Sequence, residues 1–78
     1  MKAIYNQLVF DTQKAEKILD FADNTLYRTK NGRWFLTDAS GVQPSLYPVL
    51  PERAAVYVGM YAAERYADFF PTNELEEA

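Results

Sequence analysis

Two β-prone runs, Leu26-Tyr-Arg-Thr-Lys30 and Arg33-Trp-Phe-Leu-Thr37, are joined by Asn31-Gly32. Asparagine and glycine tolerate the left-handed backbone of a tight turn better than any other pair, so the segment predicts an antiparallel hairpin. A two-residue type I′ turn sets Thr29 opposite Trp34, Arg28 opposite Phe35 and Tyr27 opposite Leu36. In that register one face carries Tyr27, Trp34 and Leu36. The other carries Arg28, Lys30 and Arg33 beside Leu26 and Phe35. A lone hairpin is not stable in water, so the rest of the chain must extend or cover it.

Before the hairpin, Lys2 to Phe10 alternates imperfectly, with Ile4, Leu8 and Phe10 on one side and Tyr5 and Val9 on the other. It reads as one strand with neighbours on both faces. Asp11 or Thr12 then caps a short helix that gathers Ala15, Ile18, Leu19 and Ala22 on one face, and Asp23-Asn24 ends it. After the hairpin, residues 38–48 are loop-like, punctuated by Gly41, Pro44 and Pro48. Leu46 to Leu50 offers a short edge strand, because proline excludes a central one. Pro51-Glu52 opens a helix whose apolar spacing continues to Phe70, where Pro71 stops it. The expected fold is α+β. It combines a small antiparallel sheet (an N-terminal strand plus the hairpin) with a short helix and a long C-terminal helix packed on it. One compact domain covers 1–71, and 72–78 is an acidic tail that frays.

The last helix carries the most surface. At 100° per residue, Ala55, Val58, Ala62, Tyr66 and Phe69 face the sheet, and Arg53, Tyr57, Tyr61, Glu64 and Asp68 form the opposite line. Val56, Met60, Ala63, Ala67 and Phe70 widen the apolar arc beyond what a small sheet covers. Either that flank packs under the 38–48 loop, or Tyr57, Tyr61 and Met60 form a patch for a partner or a second copy of the chain. Gly59, in mid-helix, is there to let a backbone or ring approach closely.

Chemistry is limited by what is missing. The 78 residues include no His and no Cys. That removes disulfides, the usual zinc and iron–sulfur ligand sets, and Ser–His or Cys–His nucleophile pairs. The acids Asp11, Glu16, Asp20 and Asp23 lack the spacing of a calcium loop. The glycines at 32, 41 and 59 make no phosphate cradle. Ser40 and Ser45 have neither an elbow motif nor a base. The reading is therefore a non-enzyme without cofactor or metal. No apolar run reaches the roughly 18 residues of a membrane span, no signal-peptide pattern opens the chain, and a cysteine-free chain fits a reducing cytoplasm.

Charge divides the possible partners. The chain carries a net charge of −3, with the acidity concentrated in the second half. Arg28, Lys30 and Arg33 beside Tyr27, Trp34 and Phe35 have the basic-aromatic mixture that single strands favour. The negative total and the lack of a second basic element argue against nucleic acid. A small nucleic-acid-binding regulator remains the alternative to protein binding.

Several stretches together resemble a family of small, mostly uncharacterised bacterial proteins found in phages and other mobile elements. They are Val9-Phe-Asp-Thr-Gln-Lys-Ala-Glu-Lys-Ile18, Leu26-Tyr-Arg-Thr-Lys-Asn-Gly-Arg-Trp-Phe-Leu36, the Pro51-Glu52 helix opening and Tyr66-Ala-Asp-Phe-Phe70. The similarity covers about three quarters of the chain, and the hairpin is its specific part. The resemblance implies an accessory protein that inhibits a bacterial defence complex, such as a CRISPR effector, without catalysis. The expected contact line is Tyr57, Met60, Tyr61, Glu64 and Asp68, with Arg28, Lys30 and Arg33 as a second surface. A homodimer through the C-terminal helix is the other expected assembly.

Overall fold

The computed structural model describes residues 1–78. It is an α+β fold, but its arrangement differs from the one the sequence predicts. Six strands form two antiparallel sheets: β1 (Lys2–Tyr5) with β2 (Leu8–Asp11), and a meander of β3 (Glu16–Phe21), β4 (Asn24–Arg28), β5 (Trp34–Asp38) and β6 (Ser45–Val49). Two helices follow, α1 (Pro51–Tyr61) and α2 (Tyr66–Phe69), joined by a 3-10 turn over Ala63–Arg65.

The predicted N-terminal strand is a hairpin. Asn6 and Gln7 both take left-handed φ, 51° and 66°, and fold β2 back on β1 with Tyr5 opposite Leu8 and Ala3 opposite Phe10. Ala3, Tyr5, Leu8 and Phe10 therefore share one face, which explains why the alternation looked faulty when read as a single strand. Phe10 is buried, whereas Ile4 and Val9 point to solvent.

The predicted short helix is strand β3. Asp11 does capture backbone as a cap would: its Oδ1 accepts from the Gln13 amide at 3.0 Å and its carbonyl from the Lys14 amide at 3.1 Å. The turn then stops, because starting a helix fixes several residues for one hydrogen bond, whereas β4 offers a ready ladder. Ile18 and Leu19 are adjacent and both buried, which a plain strand forbids. A bulge between Lys17 and Leu19 turns both inward.

The Asn31-Gly32 hairpin forms, with its register moved by one residue. Leu26 faces Leu36, Tyr27 faces Phe35 and Arg28 faces Trp34. The loop has three residues. The Gly32 amide donates to the Thr29 carbonyl at 2.9 Å, and the Thr29 amide donates to the Arg33 carbonyl at 2.7 Å. Gly32, at φ 83°, supplies the left-handed position that follows such a type I turn. The Thr29 hydroxyl also accepts from the Arg33 amide at 3.0 Å, which favours this loop over the two-residue one.

That shift decides the layers. Leu26, Arg28, Trp34 and Leu36 share the face that meets the helices, where Ile18, Leu19, Ala54, Val58 and Ala62 complete one core cluster. Tyr27 and Phe35 take the opposite face, under the β1–β2 hairpin, where Phe10 and Leu46 complete a second. Only 11 residues are buried, so each large side chain matters, at about 1.5–3 kcal/mol. The edge strand is present, as the sequence indicated, with Pro48 opposite Phe35 in β6.

The long C-terminal helix is broken at Ala62, whose φ of −148° and ψ of 51° lie outside the helical region. Its 11 residues span about 16 Å, the length of the five-residue strands beneath. A single helix to Phe70 would run about 30 Å and carry its last aromatics past the sheet. The break instead lets Phe70 stack on Trp34 at 5.4 Å and 18°, with Phe69 edge-on at 5.4 Å. Residues 71–78 are exposed and make one turn, from the Leu75 amide to the Thr72 carbonyl at 3.1 Å.

Candidate functional site

A surface of exposed apolar side chains starts at the step from sheet to helix. Leu50 stays extended (φ −71°, ψ 151°), as a residue before proline must, and Pro51 starts α1. The helix crosses the sheet with Ala54 and Val58 buried beneath it. Spacing from those positions puts Val56 and Met60 outward, and they are 51% and 65% exposed, with Tyr61 beside them at 53%.

Tyr57 and Tyr61, one turn apart, hold the Phe21 ring between them. The centroid distances are 4.8 Å and 4.9 Å, and the Tyr61 contact is parallel within 8°. The end of β3 thereby orders both tyrosines, leaving Tyr57 half-buried and Tyr61 open to solvent. Of the predicted line, Tyr57, Met60 and Tyr61 lie on one helix. Glu64 and Asp68 do not continue it, because α1 ends at Tyr61. Glu64 sits exposed in the 3-10 turn, and the Asp68 carboxylate lies 3.8 Å from Arg65 Nε.

Between α1 and the edge strand runs an open groove of about 400 Å³, lined by Tyr47, Pro48, Val49, Leu50, Arg53 and Tyr57. Its mouth is polarised. The Tyr47 hydroxyl is pushed above its usual value by burial and by the negative charge of Asp38, while the Arg53 guanidinium pulls the other way. The Ser40 hydroxyl (2.6 Å) and amide (2.8 Å) both donate to Asp38 Oδ1 and hold that carboxyl below the usual range. The sequence placed Arg53 on the Tyr57–Tyr61 line and Leu46 to Leu50 in an edge strand, but gave no sign that Tyr47, Pro48, Leu50 and Arg53 line one groove. Arg53 alone stood out, as a cation in the first helical turn, where the helix dipole opposes it.

The second predicted surface is divided. Arg28 turns from solvent onto the helix-facing side, its guanidinium 5.7 Å from both the Trp34 and Phe69 rings and its Nε buried without a partner. Lys30 and Arg33 stay exposed at the hairpin tip. The basic-aromatic mixture weighed for a single strand thus loses Arg28 and Trp34 to the helix-facing side. The early acids are used locally. Asp20 accepts from the Thr25 hydroxyl at 2.7 Å and lies 3.1 Å from Lys17, and these contacts hold its carboxyl below the usual range. Glu16 lies 3.5 Å from Arg65. No helix is long and apolar enough to cross a membrane. Comparison with protein-family models, with curated proteins and with solved structures finds no match to this chain.

Proposed function

We propose that this chain is a non-catalytic binding protein that occupies a functional surface of a protein partner, using the outer face of α1 and the groove beside it. One observation carries the reading. Val56, Met60 and Tyr61 are exposed together on a helix whose neighbouring Tyr57 is held by Phe21. The two tyrosines, held by Phe21, lose little freedom when covered, and tyrosine and methionine are residue types enriched at interface centres. The resemblance in sequence makes a bacterial defence complex the target class to try first, with inhibition by occlusion, anti-CRISPR-like, as the outcome.

The test is titration of purified CRISPR effectors with the chain, reading target cleavage, alongside affinity capture of each effector. The wild-type chain should inhibit one effector class at near one-to-one stoichiometry. Val56→Asp with Met60→Asp should weaken both readouts more than tenfold. Inhibition unaffected by that double change would reject the α1 face, and the absence of inhibition across effector types would reject the target class. Light scattering on the free chain adds the remaining discrimination: a two-chain mass lost in the double variant would make a second copy the occupant.

A further inference from the structure

We infer that the groove between α1 and β6 is a recognition slot for an extended, acidic segment of a protein partner, taking a carboxylate at Arg53 and an aliphatic or proline side chain between Tyr47 and Tyr57. The inference rests on the binding reading above and specifies the chemistry of what is bound.

The slot has two aromatic walls, Tyr47 from the edge strand and Tyr57 from the helix, with Pro48, Val49 and Leu50 along its length. Tyr57 is fixed by its contact with Phe21, so that wall is in place before anything binds. Arg53 is exposed and takes part in none of the three ion pairs of the molecule, which join Lys17 to Asp20 and Arg65 to Glu16 and Asp68. It is one of two cations in the acidic second half of the chain, and the other, Arg65, is paired. Asp38 is not part of the lining, so Arg53 is the one charged side chain along the slot.

Strand addition does not compete for this slot. On the open edge of β6 the Leu46 carbonyl already accepts from the Tyr5 hydroxyl, and Pro48, next on that side, has no amide hydrogen. An occupant is held by its side chains, in the way aromatic-lined grooves hold extended proline-rich segments.

The experiment titrates the full ¹⁵N-labelled chain with a blocked octapeptide built around Pro-Leu-Glu, and with the same peptide carrying Gln for Glu. Saturable shifts confined to Tyr47, Val49, Leu50, Arg53 and Tyr57, with the Glu peptide about fivefold tighter, are the expected result. Arg53→Gln should remove that preference while leaving the spectrum folded, and Arg53→Lys should retain part of it. Equal affinity for the two peptides, shifts centred elsewhere, or no saturation at millimolar peptide would overturn the assignment. These outcomes are separable from failure of the broader reading. Capture of an effector that depends on Val56 and Met60 but not on Arg53 would leave the binding function standing and remove the slot from it.

Discussion

Arg65 donates from Nη1 to the carbonyl of Ile18 at 3.2 Å, joining the 3-10 turn to the free edge of β3. Ile18 lies in the β-bulge, outside the pairs that β3 makes with β4. The same guanidinium lies 5.0 Å from the Phe69 ring centroid and 3.5 Å from Glu16. Arg65 therefore closes one edge of the sheet, as Tyr5 and Pro48 close the other, and the meander is a poor template for pairing with further strands. Arg65→Ala should cost about 1–2 kcal/mol, mostly from the lost hydrogen bond and ring contact, since the exposed acids add little. Urea unfolding should show a lower midpoint with an unchanged slope; a wild-type midpoint would mean that the edge does not need closing.

The hairpin loops predict opposite effects for the same pair of residue types. Gly32 is left-handed, and a Cβ there would meet Arg28 Nη2 at 3.4 Å, so Gly32→Ala should cost about 1–2 kcal/mol. Ala22, at φ 51°, is an exposed alanine where glycine belongs, so Ala22→Gly should stabilise by up to about 1 kcal/mol. Gly41 has no positive φ and ordinary space around it, so Gly41→Ala should stay within about 0.5 kcal/mol. Thermal melts of the three variants check the ordering, and a destabilised Ala22→Gly would refute the strain argument.

Parts of this fold were written plainly in the chain. Asn31-Gly32 marked a hairpin, Pro48 marked an edge strand, and Pro51-Glu52 marked a helix start. The register was not legible from the turn dipeptide alone. It depends on whether Thr29 or Lys30 closes the loop, and the Thr29 hydroxyl on the Arg33 amide favours the former. The Asn6-Gln7 turn was invisible because Gln7 has no intrinsic preference for φ 66° and is held there by the pairing of β1 with β2. Ile18-Leu19 imitated a helix face because a bulge buries neighbours as a helix does. For the candidate site, helical spacing put Tyr57, Met60 and Tyr61 on one helix, but did not show the packing that half-buries Tyr57 against Phe21. Nor did it show the groove, since its second wall is an edge strand placed by three successive hairpin connections.

Gly59 tests how tightly the broken helix folds back. A Cβ there would meet the Tyr66 ring at 3.8 Å and 3.9 Å, which is ordinary contact, so no close approach requires glycine. Helix propensity then dominates, and Gly59→Ala should stabilise by about 0.5–1 kcal/mol, raising the melting temperature by about 2–8 °C for a domain of this size. A loss of stability would show that Tyr66 packs against α1 more closely than these distances allow.

Stability should fall at both ends of the pH scale, for reasons that single substitutions separate. The Asp20 and Asp38 carboxyls titrate below their ordinary 3.8 in the folded chain, Asp20 through Thr25 and Lys17 and Asp38 through Ser40. The unfolded chain therefore binds these protons more readily. Their stabilisation is complete above about pH 4 and is lost as pH falls through the depressed folded values. Tyr47 behaves in the opposite sense. Its folded value lies above 10.0, chiefly through burial, so its contribution is complete below that pH and is lost as pH rises through the folded value. Urea midpoints measured across pH should show a shallower acid limb for Thr25→Val and Ser40→Ala, and a shallower alkaline limb for Tyr47→Phe. An alkaline limb unchanged in Tyr47→Phe would mean that the hydroxyl at the mouth of the groove stays hydrated when ionised.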